Sequence, residues 1–334
     1  MKPPVSVSMA FVRGMLSGVQ AGGVAPDSFL VESGIDPQLL DEAGARVTGE
    51  QYVALFRLLA ERRDDDGLGF FSRPLRRGSF ALIVRSALGA PSLEVAMRRM
   101  ARTLRLLQDD VEFVPLREGD LAGWGLRFTD PRLTQPNFMH EMLLRIFWRT
   151  LAWLVCARLP AARFDLAFER PPYAGSYRHV LPGELRFSQA QTAFWFGARH
   201  LRAPIRRDEP ALRRFMADVH WNIVVPRRKD DDVSTRVRLH LQNAEPAWPD
   251  LAGTARALHM SVSTLQRHLA LEQTSFQALK DELRRDMAIA RLNTSNVPLA
   301  ALAGELGFSD SAAFQRAFKV WTGSPPGAYR RRMA

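Results

Sequence analysis

Apolar residues recur at helical spacing twice near the end of the chain, and the two runs match each other. In the later run Leu299, Leu302, Ala303 and Leu306 fall at i, i+3, i+4, i+7, one stripe of an amphipathic helix. Pro298 precedes it and suits a first turn, where a missing N–H costs nothing. Gly307 follows, where a residue of positive φ ends a helix, and Ser309 is placed to cap the next one. That next helix carries Phe314, Ala317, Phe318 and Trp321 on one face and Ser311, Ala312, Gln315, Arg316 and Lys319 on the other. The earlier run repeats the plan with Leu251, Ala255 and Leu258, His259 in place of the glycine, and Ser261 as cap. Its second helix has Val262, Leu265 and Leu269 inward and Ser263, Thr264, Gln266 and Arg267 outward. The offset between copies is 48 residues in the first half and 49 in the second, so one residue is inserted. Self-similarity of this kind marks a duplicated unit, here helix, tight turn, helix. Outward Gln and Arg can serve as base readers, since glutamine can bond adenine twice and arginine can fork onto guanine. A solvated helix face is the plain alternative for one copy; two capped copies favour duplex DNA.

The first two-thirds of the chain mixes both periods. Helices are expected at Ser8–Val19, after Ala25-Pro26-Asp27, after Ile35-Asp36-Pro37, and from Thr48 with Tyr52, Leu55, Phe56 and Leu59 apolar. Ser92 caps another, with Leu93, Ala96, Met97 and Met100 inward and Arg98, Arg99 and Arg102 outward. Asp110–Leu116 and Leu121–Phe128 alternate across Glu118-Gly119-Asp120, a hairpin pattern. A long apolar helix is expected over Asn137–Ala157, then strands at Arg163–Glu169, Glu184–Phe187 and Ala193–Phe196. The sum is an α+β domain with an antiparallel sheet over residues 1–225. An all-α domain with two helix-turn-helix units follows over 234–334, its first helix capped by Ser234. Pro226 to Val233, a proline followed by blocks of both charges, is the expected linker. A fragment starting near Asp231 would then hold both repeats and fold alone.

Charge sharpens this division. The 334 residues carry a formal net charge of +11. Residues 251–334 hold 11 Lys/Arg against 6 Asp/Glu, about twice the basic excess per residue of the rest. That suits an anionic partner and salt-dependent phosphate contact. Arginine far outnumbers lysine throughout, so composition bias contributes. Cys156 is the single cysteine, which excludes an internal disulfide and a cysteine zinc site. No signal peptide is evident, and the apolar stretch Ile146–Leu154, broken by Arg149, is too short to span a bilayer. A cytoplasmic protein without a membrane partner is expected.

The segment from about Ser234 to Arg332 resembles the DNA-binding domain of the AraC/XylS family of bacterial transcription regulators. The resemblance rests on Ser261-Val262-Ser263-Thr264-Leu265-Gln266-Arg267, Gly307-Phe308-Ser309-Asp310, Phe314-Gln315-Arg316-Ala317-Phe318-Lys319 and the closing Trp321-Thr322-Gly323-Ser324-Pro325. It implies a long helix joining the two units, Phe276–Asn293, with Arg284 and Ala288 at favoured positions. It also implies that one monomer places two recognition helices in successive major grooves. His259 and Gln273 depart from the family pattern, both in the first unit. The earlier part resembles, less specifically, the arabinose-binding-type N-terminal domain of one branch of that family. The residues concerned are Gly67-Leu68-Gly69-Phe70, Ser92-Leu93-Glu94-Val95-Ala96, Glu141, Phe168-Glu169-Arg170-Pro171-Pro172, Leu185-Arg186-Phe187 and Leu201-Arg202-Ala203-Pro204-Ile205. This resemblance implies a domain that senses an effector or dimerises.

Catalytic constellations are lacking in the sequence, so no enzyme, cofactor or metal is expected. Cys156 sits in an apolar helix without a glycine elbow and reads as a buried structural thiol. Asp64-Asp65-Asp66 lacks calcium-loop spacing and reads as a solvated helix end. For an effector, the long helix offers His140, Glu141, Arg145 and Trp148, whose buried polar groups a small ligand could satisfy; core packing and internal ion pairs would serve equally. The leading expectation is a ligand-responsive, sequence-specific regulator, an activator in the family's usual manner, contacting RNA polymerase and forming a homodimer. The alternative is an architectural DNA-binding protein whose first domain only dimerises.

Overall fold

Hairpin chemistry at Glu118-Gly119-Asp120 builds the central sheet. Gly119 takes φ +53 at the turn, and the flanking strands β3 (Val111–Glu118) and β4 (Leu121–Phe128) pair antiparallel in register from Glu118↔Leu121 to Val111↔Phe128. The computed structural model describes residues 5–134, 137–156, 159–224, 232–244, 247–272 and 274–330. Before that hairpin come strands β1 (Ser6–Ser8) and β2 (Arg46–Thr48) and helices α1 (Met9–Ala21), α2 (Asp27–Glu32), α3 (Gly49–Arg63), α4 (Ser79–Ser86) and α5 (Leu93–Leu107). After it come α6 (Asn137–Leu154), β5 (Ala161–Asp165), β6 (Glu184–Arg186), β7 (Thr192–Gly197), α7 (Glu209–Ala217) and α8 (Val219–Val224). The remaining helices are α9 (Val233–Asn243), α10 (Leu251–Ala257), α11 (Val262–Leu271), α12 (Phe276–Thr294), α13 (Leu299–Glu305) and α14 (Ser311–Thr322). The chain divides into two compact units, one formed by Ala10–Ser33 and Tyr52–Pro226, the other by the described residues of Met1–Met9, Gly34–Gln51 and Arg227–Ala334.

The larger unit is α+β. Its sheet runs β3-β4-β7-β5-β6, antiparallel except for the parallel β5–β6 pair. Helix α6 is buried over most of its length, and Phe147 enters an aromatic cluster with Phe113 and Trp124 at centroid distances of 4.3 and 5.6 Å. The expected cap holds: the Ser92 hydroxyl accepts from Val95 N. Two expectations fail here. Helix α6 ends at Leu154, and Cys156 beyond it is exposed at φ +51, not a buried helical thiol. Asp65 is buried rather than solvated, because its carboxylate accepts from the N–H groups of Gly67, Gly69 and Leu75 at 2.7–2.9 Å. One carboxylate thus fixes the loop between α3 and α4.

The second unit contains the helices α9–α14 and a ribbon from the beginning of the chain. Strands β1 and β2 pair antiparallel, Val7 opposite Val47. The sequence boundary at residue 225 did not foresee that ribbon. Ser6 Oγ donates to Asp286 on α12 at 2.5 Å, and Arg46 Nε donates to Ser6 Oγ at 2.7 Å. A fragment starting at Asp231 would leave both groups out. Caps differ locally from the sequence pattern. Asp310, not Ser309, caps α14 by accepting from Ala313 N at 2.7 Å. At α9 the residue in the cap position is Asp232, and the Glu272 carboxylate receives Val233 N and Ser234 N at 2.8 and 3.0 Å, the task expected of Ser234. Val262 is half exposed rather than inward. Most of the expected linker, and Gln273, lie outside the described residues.

Candidate nucleic-acid interface

The two repeats fold the same way because the same backbone bonds close both turns. In the first, His259 N–H reaches Arg256 O at 3.0 Å and Met260 N–H reaches Ala255 O at 2.9 Å. In the second, Gly307 N–H reaches Gly304 O and Phe308 N–H reaches Ala303 O, both at 2.9 Å. Both hinge residues are left-handed, His259 at φ +57 and Gly307 at +72. Histidine bears this where glycine would be unstrained. Gly307 has a second constraint, since a Cβ there would lie 2.6 Å from the Trp248 ring.

Caps then set the phase of the second helices. Ser261 Oγ accepts from Thr264 N at 3.1 Å and bonds the Thr264 hydroxyl at 2.8 Å. With Leu265 and Leu269 buried, α11 exposes Ser263, Gln266 and Arg267, and Thr264 is partly covered. With Phe314 and Phe318 buried, α14 exposes Ala312, Gln315, Arg316 and Lys319. Ser311 is half covered and accepts from Gln315 Nε2 at 3.1 Å. Of the nine residues expected to face DNA, seven are exposed and Thr264 and Ser311 are partly covered. Among the described residues Arg267, Arg316 and Lys319 form no ion pair within 4.0 Å, which leaves them for phosphates or base edges.

What joins the two repeats is Arg284 of α12. Its guanidinium lies 5.0 Å from the Trp248 ring and 4.8 Å from the Phe308 ring, and donates to Gly307 O at 3.1 Å. Trp248 Nε1 in turn donates to Glu305 O at 2.9 Å. Burial holds the Arg284 pKa below its usual value. Arg284 was singled out by resemblance, but Trp248 was missed. Its signal was a tryptophan between Pro246 and Pro249, directly before the Asp250 cap. Asp286 was missed too. It lies on the stripe Leu279, Leu283, Asp286, where an acid should have stood out, and it is 3 % exposed. Arg238 of α9 donates to it at 2.6 Å and Arg285 at 3.2 Å. Burial pushes this carboxyl up, but Arg285, Arg238, Arg46 and Ser6 together hold it below the usual range. Arg46 itself is lowered to about 10, chiefly by burial and then by Arg285.

Of the residues suggested for an effector, Glu141 and Arg145 lie near one another beside Tyr52, while His140 and Trp148 are engaged elsewhere. His140 Nδ1 bonds Thr192 Oγ1 at 2.7 Å between the Phe128 and Phe168 rings. Trp148 Nε1 donates to Leu159 O at 2.9 Å. Glu141 lies elsewhere, accepting from the hydroxyls of Tyr173, at 2.9 Å, and Tyr177. Burial raises it to about 7, while the tyrosine hydroxyls and Arg145 pull the other way. Arg145 is buried beside Tyr52, whose hydroxyl is raised to about 12 by burial. Among the described residues no group of three or more His, Cys, Asp or Glu could hold a metal ion, and no helix is long and apolar enough to cross a membrane.

Two capped helix-turn-helix units on one connecting helix, with cationic and amide side chains outward, define a DNA-binding protein, here carrying an α+β companion domain. The family follows from comparison. Residues 23–205 match the arabinose-binding domain of AraC transcription regulators, and 254–332 match a helix-turn-helix domain. The chain belongs to the AraC family and is a DNA-binding transcription regulator. It is 25% identical over 336 residues to the ornithine utilization regulator of Pseudomonas aeruginosa, covering 99% of each chain. It is 34% identical over 321 residues to an HTH-type transcriptional regulator of Mycobacterium tuberculosis, covering 93% of this chain and 92% of that one. The urease operon transcriptional activator of Escherichia coli is 33% identical over 102 residues, 30% of this chain and 34% of the other.

Proposed function

We propose that this protein activates transcription in response to a small-molecule effector bound by its α+β unit. Residues Ser263, Thr264, Gln266 and Arg267 of α11 and Ser311, Ala312, Gln315, Arg316 and Lys319 of α14 would contact the operator. The carrying observation is that both recognition helices, each following a turn closed by the same backbone bonds, turn amide and guanidinium groups outward, with Arg267 and Arg316 in no ion pair among the described residues. One relative is named an activator, which supports activation and, with it, contact with RNA polymerase. The work is that of a cytoplasmic regulator, with no catalytic step, and the α+β unit would also dimerise. Residues 1–225 would serve as the sensing domain and 234–334 as the reading domain, the latter with the β1–β2 ribbon attached.

Arg316→Ala tests the assignment. It is expected to cost about 1–3 kcal/mol of discrimination at one or two base pairs, with little change on random DNA. Equal loss on specific and random DNA would reduce Arg316 to a phosphate contact. The architectural alternative is tested by the same titrations. A regulator keeps a specificity gap of roughly 10³ or more at physiological salt, and an architectural protein does not.

A further inference from the structure

The α+β unit carries a partly open pocket of about 320 Å³ lined chiefly from α3, α4, α6, α8 and the loop between α3 and α4. Phe56, Phe71, Phe80, Ile146 and Phe147 are among the apolar side chains that line it. It has room for about ten water volumes at ~30 Å³ each, on the scale of small-ligand sites. None of His140, Glu141, Arg145 and Trp148 lines it.

The polar groups at this cavity are few and mostly occupied. Glu61 faces Arg77 at 3.6 Å, and Asp66 accepts from Phe80 N at 3.1 Å. His220 packs against Phe56 with centroids 5.1 Å apart. Burial, then the nearby Arg57 and Arg77 charges, lower its pKa to about 4, so it offers a neutral ring. Arg57 is the exception: exposed, lining the cavity, and without an ion pair among the described residues. A sugar would leave its hydroxyls against phenyl rings, at a high desolvation cost. A cation would meet the unpaired Arg57, since Glu61 is paired with Arg77 and Asp66 accepts from backbone N–H groups. A carboxylate on an apolar body would place its body among the rings and its head on the Arg57 fork.

We propose that this cavity is a ligand site for a small apolar monoanion, an aromatic or branched-chain carboxylate, with Arg57 as its head-group contact. Its role as the effector site rests on the function proposed above. The test uses the purified full-length protein and three probes sharing one body: 3-phenylpropanoate, 3-phenylpropanol and 3-phenylpropylammonium. Calorimetric titration is expected to rank carboxylate over alcohol by about tenfold, the gain of one charge-assisted fork, with the ammonium weakest. Arg57→Gln, at an exposed position, should bring the carboxylate down to the alcohol's affinity. Ala81→Phe, which fills the cavity, should weaken both. Equal binding of all three probes, carboxylate affinity indifferent to Arg57→Gln, or no carboxylate binding at millimolar concentration would each overturn the site. The two readings fail separately. Carboxylate binding lost in Arg57→Gln but without effect on operator affinity supports the site and removes the effector response. Regulation by a small molecule that survives both substitutions keeps the response and overturns this site.

Discussion

Asp286→Asn isolates the buried ion pair that joins α9, α12 and the β1–β2 ribbon. The side chains of Asp286 and Arg238 are 3 % and 6 % exposed and meet at 2.6 Å. Removing one partner of a buried pair costs about 3–5 kcal/mol, and Arg238 keeps a further contact, which places the loss at the low end of that range. Arg285 is 16 % exposed and can turn outward, so its share of the loss is small. Asparagine keeps the shape but presents an N–H₂ to guanidinium donors, so a loss of about 3 kcal/mol is expected. An exposed pair such as Arg291–Glu305 would lose no more than about 1 kcal/mol. Two units in one chain need not unfold together, so the loss is best read by hydrogen exchange at α12 amides in the full-length protein. The Asp286 pKa is depressed in the folded state. Its stabilisation is therefore complete above the unfolded value near ~3.9 and lost as pH falls through the folded value. The wild-type advantage over Asp286→Asn should shrink on acidification below that range. Replacing both partners, Arg238→Met with Asp286→Leu, should recover part of the loss, the remainder being the carboxylate that Arg46 and Arg285 still lack. A single variant within about 0.5 kcal/mol of wild type, or a double variant no better than the single, would refute the account.

Three further outcomes follow from local geometry. Phe318→Ala empties a fully buried site beside Phe314 and Tyr329 and should cost about 3–5 kcal/mol by thermal unfolding; an unchanged transition would contradict the phase of α14. Arg284→Lys keeps the charge but loses the planar stack on Trp248 and Phe308, for an expected loss of about 1–2 kcal/mol, again readable by exchange. Glu141, raised to about 7 by burial, contributes stability below its unfolded pKa near ~4.3 that fades as pH rises through about 7. Glu141→Gln should flatten that pH slope in the α+β unit, and a slope unchanged by the substitution would show that Glu141 does not titrate there.

The sequence by itself determined the elements whose signal is local. Helix α5 was expected from its Ser92 cap and the stripe Leu93, Ala96, Met97 and Met100, and runs Leu93–Leu107, whereas the long helix α12 was expected at Phe276–Asn293 only through the family resemblance and runs Phe276–Thr294. The β3–β4 hairpin was legible because the turn chemistry and the alternation adjoin. The outward faces of α11 and α14 were legible because cap and apolar stripe together fix a helix's phase. Tertiary structure decided what depends on partners far along the chain. Ser309 and Asp310 are both good caps, and only the packed turn selected Asp310. Asp65 looked solvated because its three donors, Gly67, Gly69 and Leu75, carry no side-chain signal; backbone N–H groups are invisible to composition. The short β1–β2 ribbon has three residues per strand, too few to show a period. Its place beside Asp286, 280 residues from Ser6, follows from burial of a charge that needs partners, wherever the chain can bring them.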